Sequence, residues 1–165
     1  MSHSVVITRT TTTSSGTAVF LNTGYMSSLG GILKFFQTVL GAVCTGLVGY
    51  YVDRDAYGIV FIPRIFFLLM AVTFLITTFC ILLSSLLSIS SASILPKTLF
   101  EVIYHLLGFA LLLAASLTLL IKVADYKRSY IYEPILAASI IGLVNSGLYL
   151  FSTILAFRSY RGIGI

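Results

Sequence analysis

The stretch GILKFFQTVLGAVCTGLVGY, Gly31 to Tyr50, decides how the rest of the chain is read. After Lys34 no charge occurs until Asp53, leaving a run close to the roughly 20 residues that a helix needs to cross about 30 Å of hydrocarbon. Lys34 lies one turn inside the expected start, near enough to snorkel to the headgroups. Gly41, Thr45 and Gly49 recur at a spacing of four, with Ala42 and Gly46 on a neighbouring stripe. Helices in lipid gain no hydrophobic drive toward each other, so small residues that permit close backbone approach favour packing there. This face serves either the chain's own bundle or a second copy or partner.

Three later runs repeat that character. Positions 65–96 carry no charge, long enough for one crossing and too short for two, and Pro63 suits the first turn of the helix that begins there. Positions 97–121 and 134–157 complete the set, so the sequence predicts spans at about 31–51, 64–87, 97–121 and 134–157. The Ser-rich stretch 88–93 reads as a turn. Residues 1–30, polar and rich in Thr and Ser, read as a flexible tail, and 158–165 as a short second tail. The fold class expected is an all-α, membrane-spanning four-helix bundle in up-down-up-down order, with both termini on one side.

Composition supports this. At 58% hydrophobic, 9% charged and a mean hydropathy of +1.06, the chain has too little polar surface to cover a soluble fold. Its net charge of +5 is spread between apolar runs and forms no dense patch, which argues against nucleic acid and toward lipid headgroups. Lys34, Arg64, Lys97, Arg158 and Arg161 are the expected headgroup contacts. Cys44 and Cys80 both fall inside apolar runs and read as small buried hydrophobes. With the termini in the cytosol, Arg9, Lys34, Lys97, Arg158 and Arg161 stand against Arg54, Arg64, Lys122, Lys127 and Arg128, a tie under the positive-inside rule. The polar opening, with no signal peptide of the usual form, favours the cytosolic choice.

Intramembrane polar groups are costly and are usually paired or functional. Four stand out: Gln37, Glu101, His105 and Asn145. Glu101 and His105 are four apart on one helical face, so a carboxylate can meet an imidazole there. Asn145 and Gln37 are suited to bridging helices through their amides. No metal-ligand cluster, no nucleophile with a base and no phosphate-binding loop is present, so no catalytic residue, metal or cofactor is expected. A channel formed between copies needs a polar ring, which only His105, Glu101 or Asn145 can supply. In the tails, the hydroxyls at 10–15 beside Arg9 are possible phosphate acceptors, and Tyr160 to Ile163 has the form of a sorting signal.

In GGILKFFQTVLGAVCTGLVGY, KTLFEVIYHLLGFALLLAASLTLL and ILAASIIGLVNSGLYLFSTILAFR the chain resembles MARVEL-domain proteins, small four-span proteins that include the MAL, plasmolipin and chemokine-like-factor branches. Leu33, Lys34 and Gln37 ahead of Gly41 are the most characteristic part, and Glu101 matches an acidic residue near the start of the family's third helix. Its Thr-rich opening before Asn22 to Tyr25 resembles that of small insect members. The resemblance implies cytosolic termini and a place in vesicles, the plasma membrane or cell contacts. It also implies a non-enzymatic role organising lipids and partner proteins in trafficking, membrane apposition or junctions. The expected partners are membrane lipids, cholesterol or anionic lipids among them, and a homo-oligomer or other membrane proteins. The alternative function is a small oligomeric channel or lipid-handling transporter.

Overall fold

A computed structural model describes residues 22–52, 60–125 and 131–162. Among the described residues six α-helices follow one another: α1 (Thr23–Met26), α2 (Leu29–Tyr51), α3 (Phe61–Leu87), α4 (Ile89–Ile94), α5 (Leu99–Ala124) and α6 (Tyr132–Tyr160). Four of them, α2, α3, α5 and α6, are long and apolar enough to cross a membrane. The tail hydroxyls and Arg9, the charges Arg54, Lys127 and Arg128, and Ile163 lie outside the described residues.

Helix ends follow local chemistry. Ser28 caps α2, its Oγ accepting from the Gly31 N–H at 3.1 Å and donating to the Tyr25 carbonyl at 2.6 Å. That cap starts α2 at Leu29, two residues before the expected boundary. Pro63 and Pro134 both fall in the first turns of α3 and α6, where a missing N–H costs nothing. The chain breaks at Ser88, which is extended (φ −137°, ψ 116°), and its Oγ then accepts from the Ser91 N–H at 3.2 Å. The Ser-rich stretch expected to be a turn is therefore a short helix, because its first serine acts as an N-cap. Pro96 sits in a 3-10 turn, Leu95–Lys97, and α5 begins only after Thr98.

Cross-helix contacts fix the topology. Asn22 N–H donates to the Leu86 carbonyl at 2.8 Å, tying the segment before α2 to the end of α3. Gln37, early in α2, bonds to Ser152, late in α6, and Lys34 pairs with Glu101 at the start of α5. The helices thus alternate in direction, and the start of α2 and the end of α6 share one end of the bundle, here the near end. Around the bundle the order is α2, α3, α5, α6, with α2 facing α5 and α3 facing α6 across the middle.

Each long helix turns one stripe inward at spacings of three and four. Lys34, Gln37, Gly41, Cys44 and Val48 are buried in α2, and Ile135, Ala138, Gly142, Asn145, Tyr149, Ser152 and Ala156 in α6. Toward the far end this interior is apolar, built from residues such as Val48, Phe67, Leu119 and Ile135. Toward the near end it is polar. Outward faces carry large apolar side chains, including Phe36, Phe79, Leu107 and Phe151, the surface that lipid requires.

Candidate functional site

The polar half of the interior is built from residues that the four long helices bring to one level. Lys34 lies five residues into α2, about 8 Å along its axis at the usual rise. Glu101 lies in the first turn of α5. Across the bundle the Lys34 ammonium pairs with Glu101 Oε1, both residues being almost fully buried at 3% and 4% exposure. His105 Nε2 stands 3.5 Å from the same oxygen, one turn further along α5. Its ring lies against two tyrosines, 5.0 Å from the Tyr104 ring and 5.7 Å from that of Tyr149.

Deeper, the amides of Gln37 and Asn145 cross from helix to helix. Gln37 Nε2 donates to Ser152 Oγ at 2.8 Å, and Asn145 Nδ2 donates to the Gln37 backbone carbonyl at 3.4 Å. A second knot joins α3, α5 and α6. The Tyr104 and Tyr149 hydroxyls both meet Thr78 Oγ1, and both reach the Phe74 carbonyl oxygen, at 3.2 and 3.3 Å. Such bonds count in a bilayer, where no water competes for the same groups. Several buried atoms nonetheless find no hydrogen-bond partner, among them Glu101 Oε2, both His105 ring nitrogens, Gln37 Oε1 and Asn145 Oδ1.

Glycine makes the closest approaches possible. A Cβ on Gly108 would lie 2.6 Å from the Tyr149 ring, and one on Gly142 would lie 2.6 Å from the Phe67 ring as well as striking Ser116 Oγ. Gly31 admits the Tyr25 carbonyl, which seats α1 against the start of α2. Sequence spacing did not single out Gly108. Its signal was its place three residues beyond His105, on the same inward stripe.

At the near end a cleft of about 340 Å³ opens between α1, the start of α2, the turn before α5 and the end of α6. Leu29, Leu33, Pro96, Leu155 and Ala156 are among its apolar walls, and Lys34, Glu101 and three serines, Ser28, Ser152 and Ser159, supply the polar part.

The four intramembrane polar residues singled out in the sequence are all buried, His105 beside Glu101 and Asn145 beside Gln37, and of the four only Glu101 lines the cleft. The small residues of α2 divide instead. Gly41 is buried, 3.5 Å from Leu75 by its absent Cβ, whereas Thr45 and Gly49 are half-buried and Ala42 and Gly46 face outward. The expected headgroup residues divide too. Lys97, Arg158 and Arg161 are exposed at the near end, with the Arg161 guanidinium 5.3 Å from the Phe157 ring centre. Lys34 and Arg64 are instead buried inside the bundle. A carboxylate inside the bundle draws Lys34 inward. Arg64 is fully buried at the far end, where its Nη1 donates to the Tyr51 carbonyl at 2.8 Å and so satisfies the negative end of α2. Cys44 is buried and Cys80 exposed, both as free thiols. Among the described residues no group of three His, Cys, Asp or Glu gathers as a metal site would.

The family model described as "MARVEL: Membrane-associating domain" matches residues 25–155. No curated protein and no solved structure matches the chain.

Proposed function

The chain belongs to the MARVEL family of membrane-associating domains, matched over most of its length, and on that footing we propose that it is a non-enzymatic organiser of lipids and partner proteins. It is an integral multi-pass membrane protein. The setting we propose for that role is vesicle trafficking, membrane apposition or cell junctions, with the termini in the cytosol. One observation carries the reading: the charged and amide side chains Lys34, Glu101, Gln37 and Asn145 are turned inward and contact other bundle residues, while the outward faces of its helices are apolar. The surface offered to the surroundings therefore suits lipid and other membrane helices, and Lys97, Arg158 and Arg161 at the near end suit anionic headgroups.

Labelled protein in giant vesicles of a phase-separating lipid mixture tests this. Enrichment in one phase, with a change in local lipid order that grows with protein density, is expected. Uniform distribution with unchanged order, and no self- or partner crosslinking in cells, would refute it. Protease protection of tags at both ends checks the orientation.

Of the alternative pair, the lipid-handling reading draws support from the cleft at the near end. A pore between copies draws none from the polar residues, since Glu101, His105 and Asn145 are buried within one protomer.

A further inference from the structure

The near-end cleft is bounded by α1, the start of α2, the turn before α5 and the end of α6, and most of the surface facing it is hydrocarbon. Leu33, Leu155 and Ala156 are among its walls, and Leu29, a lining residue 53% exposed, marks where it opens. An unfilled apolar space weakens a fold in proportion to its volume, so a chain that fills it binds with a gain for each methylene it brings. A methylene takes about the room of a water molecule in the liquid, roughly 30 Å³, so the cleft of about 340 Å³ accepts about eleven. That is one acyl chain. A lipid with two chains must leave the second among the helices that bound the opening, and a lipid with one chain has no such remainder.

Charge selects the head. Lys97 follows the lining residue Pro96, Arg158 precedes the lining residue Ser159, and both cations are exposed. Among the described residues the near end carries no exposed acid. Glu101 is 4% exposed and its charge is met by Lys34, while Asp125 and Glu133 lie at the far ends of α5 and α6. An anion at the opening therefore meets two cations with no acid set against it, and Ser159 adds a hydroxyl that can donate to it.

We propose that this cleft binds a single-chain lipid with an anionic head, the tail lying along Leu29, Leu33 and Leu155 and the head among Lys97, Arg158 and the Ser159 hydroxyl. The inference rests on the reading of the bundle as a lipid organiser and adds to it a lipid that enters the protein. Long-chain fatty acids and lysophosphatidates share this chemistry, and competitors of each kind separate the two sources.

The test uses the full chain in phosphatidylcholine nanodiscs, at alkaline pH where a carboxylic acid is ionised, with a photoreactive fatty acid as probe. Saturable labelling of residues 29–33 and 155–159 is expected. Fatty acids from about 8 to about 18 carbons then compete at equal mole fraction in the bilayer, gaining up to about threefold per methylene until the cleft is full near twelve carbons, and levelling beyond. In at least one of the two families the anion is expected to compete about tenfold better than its neutral methyl ester, a difference that shrinks as salt is raised. Leu155→Trp fills the cleft and abolishes the labelling, while labelling at the outward Phe36 and Phe79 persists. Should that variant fail to fold, Lys97→Gln with Arg158→Gln, both at exposed positions, is expected to bring anion and ester to equal competition. Competition that ignores chain length, esters equal to both anions in the unaltered protein, or a two-chain phosphatidate as effective as the lysophosphatidate overturns the proposal. If the vesicle experiment still shows a change in lipid order, the organiser reading stands and only the site falls.

Discussion

Removing one member of the Lys34–Glu101 pair should cost far more than removing both. Each residue is almost wholly withdrawn from solvent, and the two bridge the facing helices α2 and α5. Leaving one buried charge without its partner costs about 3–5 kcal/mol in proteins generally. Two features place both single changes at the low end. In Glu101→Leu the freed lysine, about 8 Å from the helix start, can bend its stem toward the headgroups. In Lys34→Met the carboxylate keeps His105 Nε2 at 3.5 Å. Each single variant should therefore lose about 3 kcal/mol, and the double variant, which buries no charge, should regain at least about 3 kcal/mol of the summed loss. Reversible unfolding in bicelles, followed by steric trapping or by denaturing-detergent titration, measures all four proteins. Single losses below about 1 kcal/mol, or a double variant as unstable as the sum of the two, would refute the reasoning, because the pair would then not be desolvated.

Gly108→Ala pushes a methyl group into the Tyr149 ring and should destabilise by about 1–3 kcal/mol, with a changed near-UV tyrosine spectrum. Gly41→Leu should cost a similar amount, since Leu75 and Asn145 stand against that position, whereas Gly46→Leu, with nothing within 4 Å, should leave folding within about 0.5 kcal/mol. If both leucine variants unfold alike, the inward register assigned to α2 is wrong; if Gly46→Leu alone changes oligomer size, that face is where copies meet. Tyr149→Phe removes one hydroxyl from the knot at Thr78 and should cost about 1 kcal/mol in the same unfolding assay.

The four spans were legible because charge is excluded so completely between Lys34 and Asp53, Arg64 and Lys97, Glu101 and Lys122, and Glu133 and Arg158. The Glu101–His105 contact was legible as well, since four residues along a helix bring two side chains to one face. Its third member was not. Lys34 is 67 residues away from Glu101, and only the order of helices around the bundle brings them together. A lysine one turn inside a span reads as a headgroup anchor unless an acid is known to face it. The small residues of α2 were read at a spacing of four, and that spacing drifts by about 40° per step around a helix of 3.6 residues per turn. From Gly41 to Gly49 the drift carries the stripe off the interior. The stripe that stays inward alternates three and four, through Lys34, Gln37, Gly41, Cys44 and Val48. Helix starts moved for a local reason, because Ser28 and Ser88 act as caps where a polar stretch alone suggests tail or turn.

The separation of Lys34 from Glu101 also sets a schedule for biosynthesis. At about 5–20 residues per second, the 67 residues between them take roughly 3–13 s to synthesise. For that interval the first span has entered or approached the bilayer carrying an ammonium whose counter-charge does not yet exist. The nascent helix must hold Lys34 at the interface, or lean on the insertion machinery, until the third span arrives and draws it in. The fourth long helix then closes over Gln37 through Ser152, so the interior is sealed only once that span has been made.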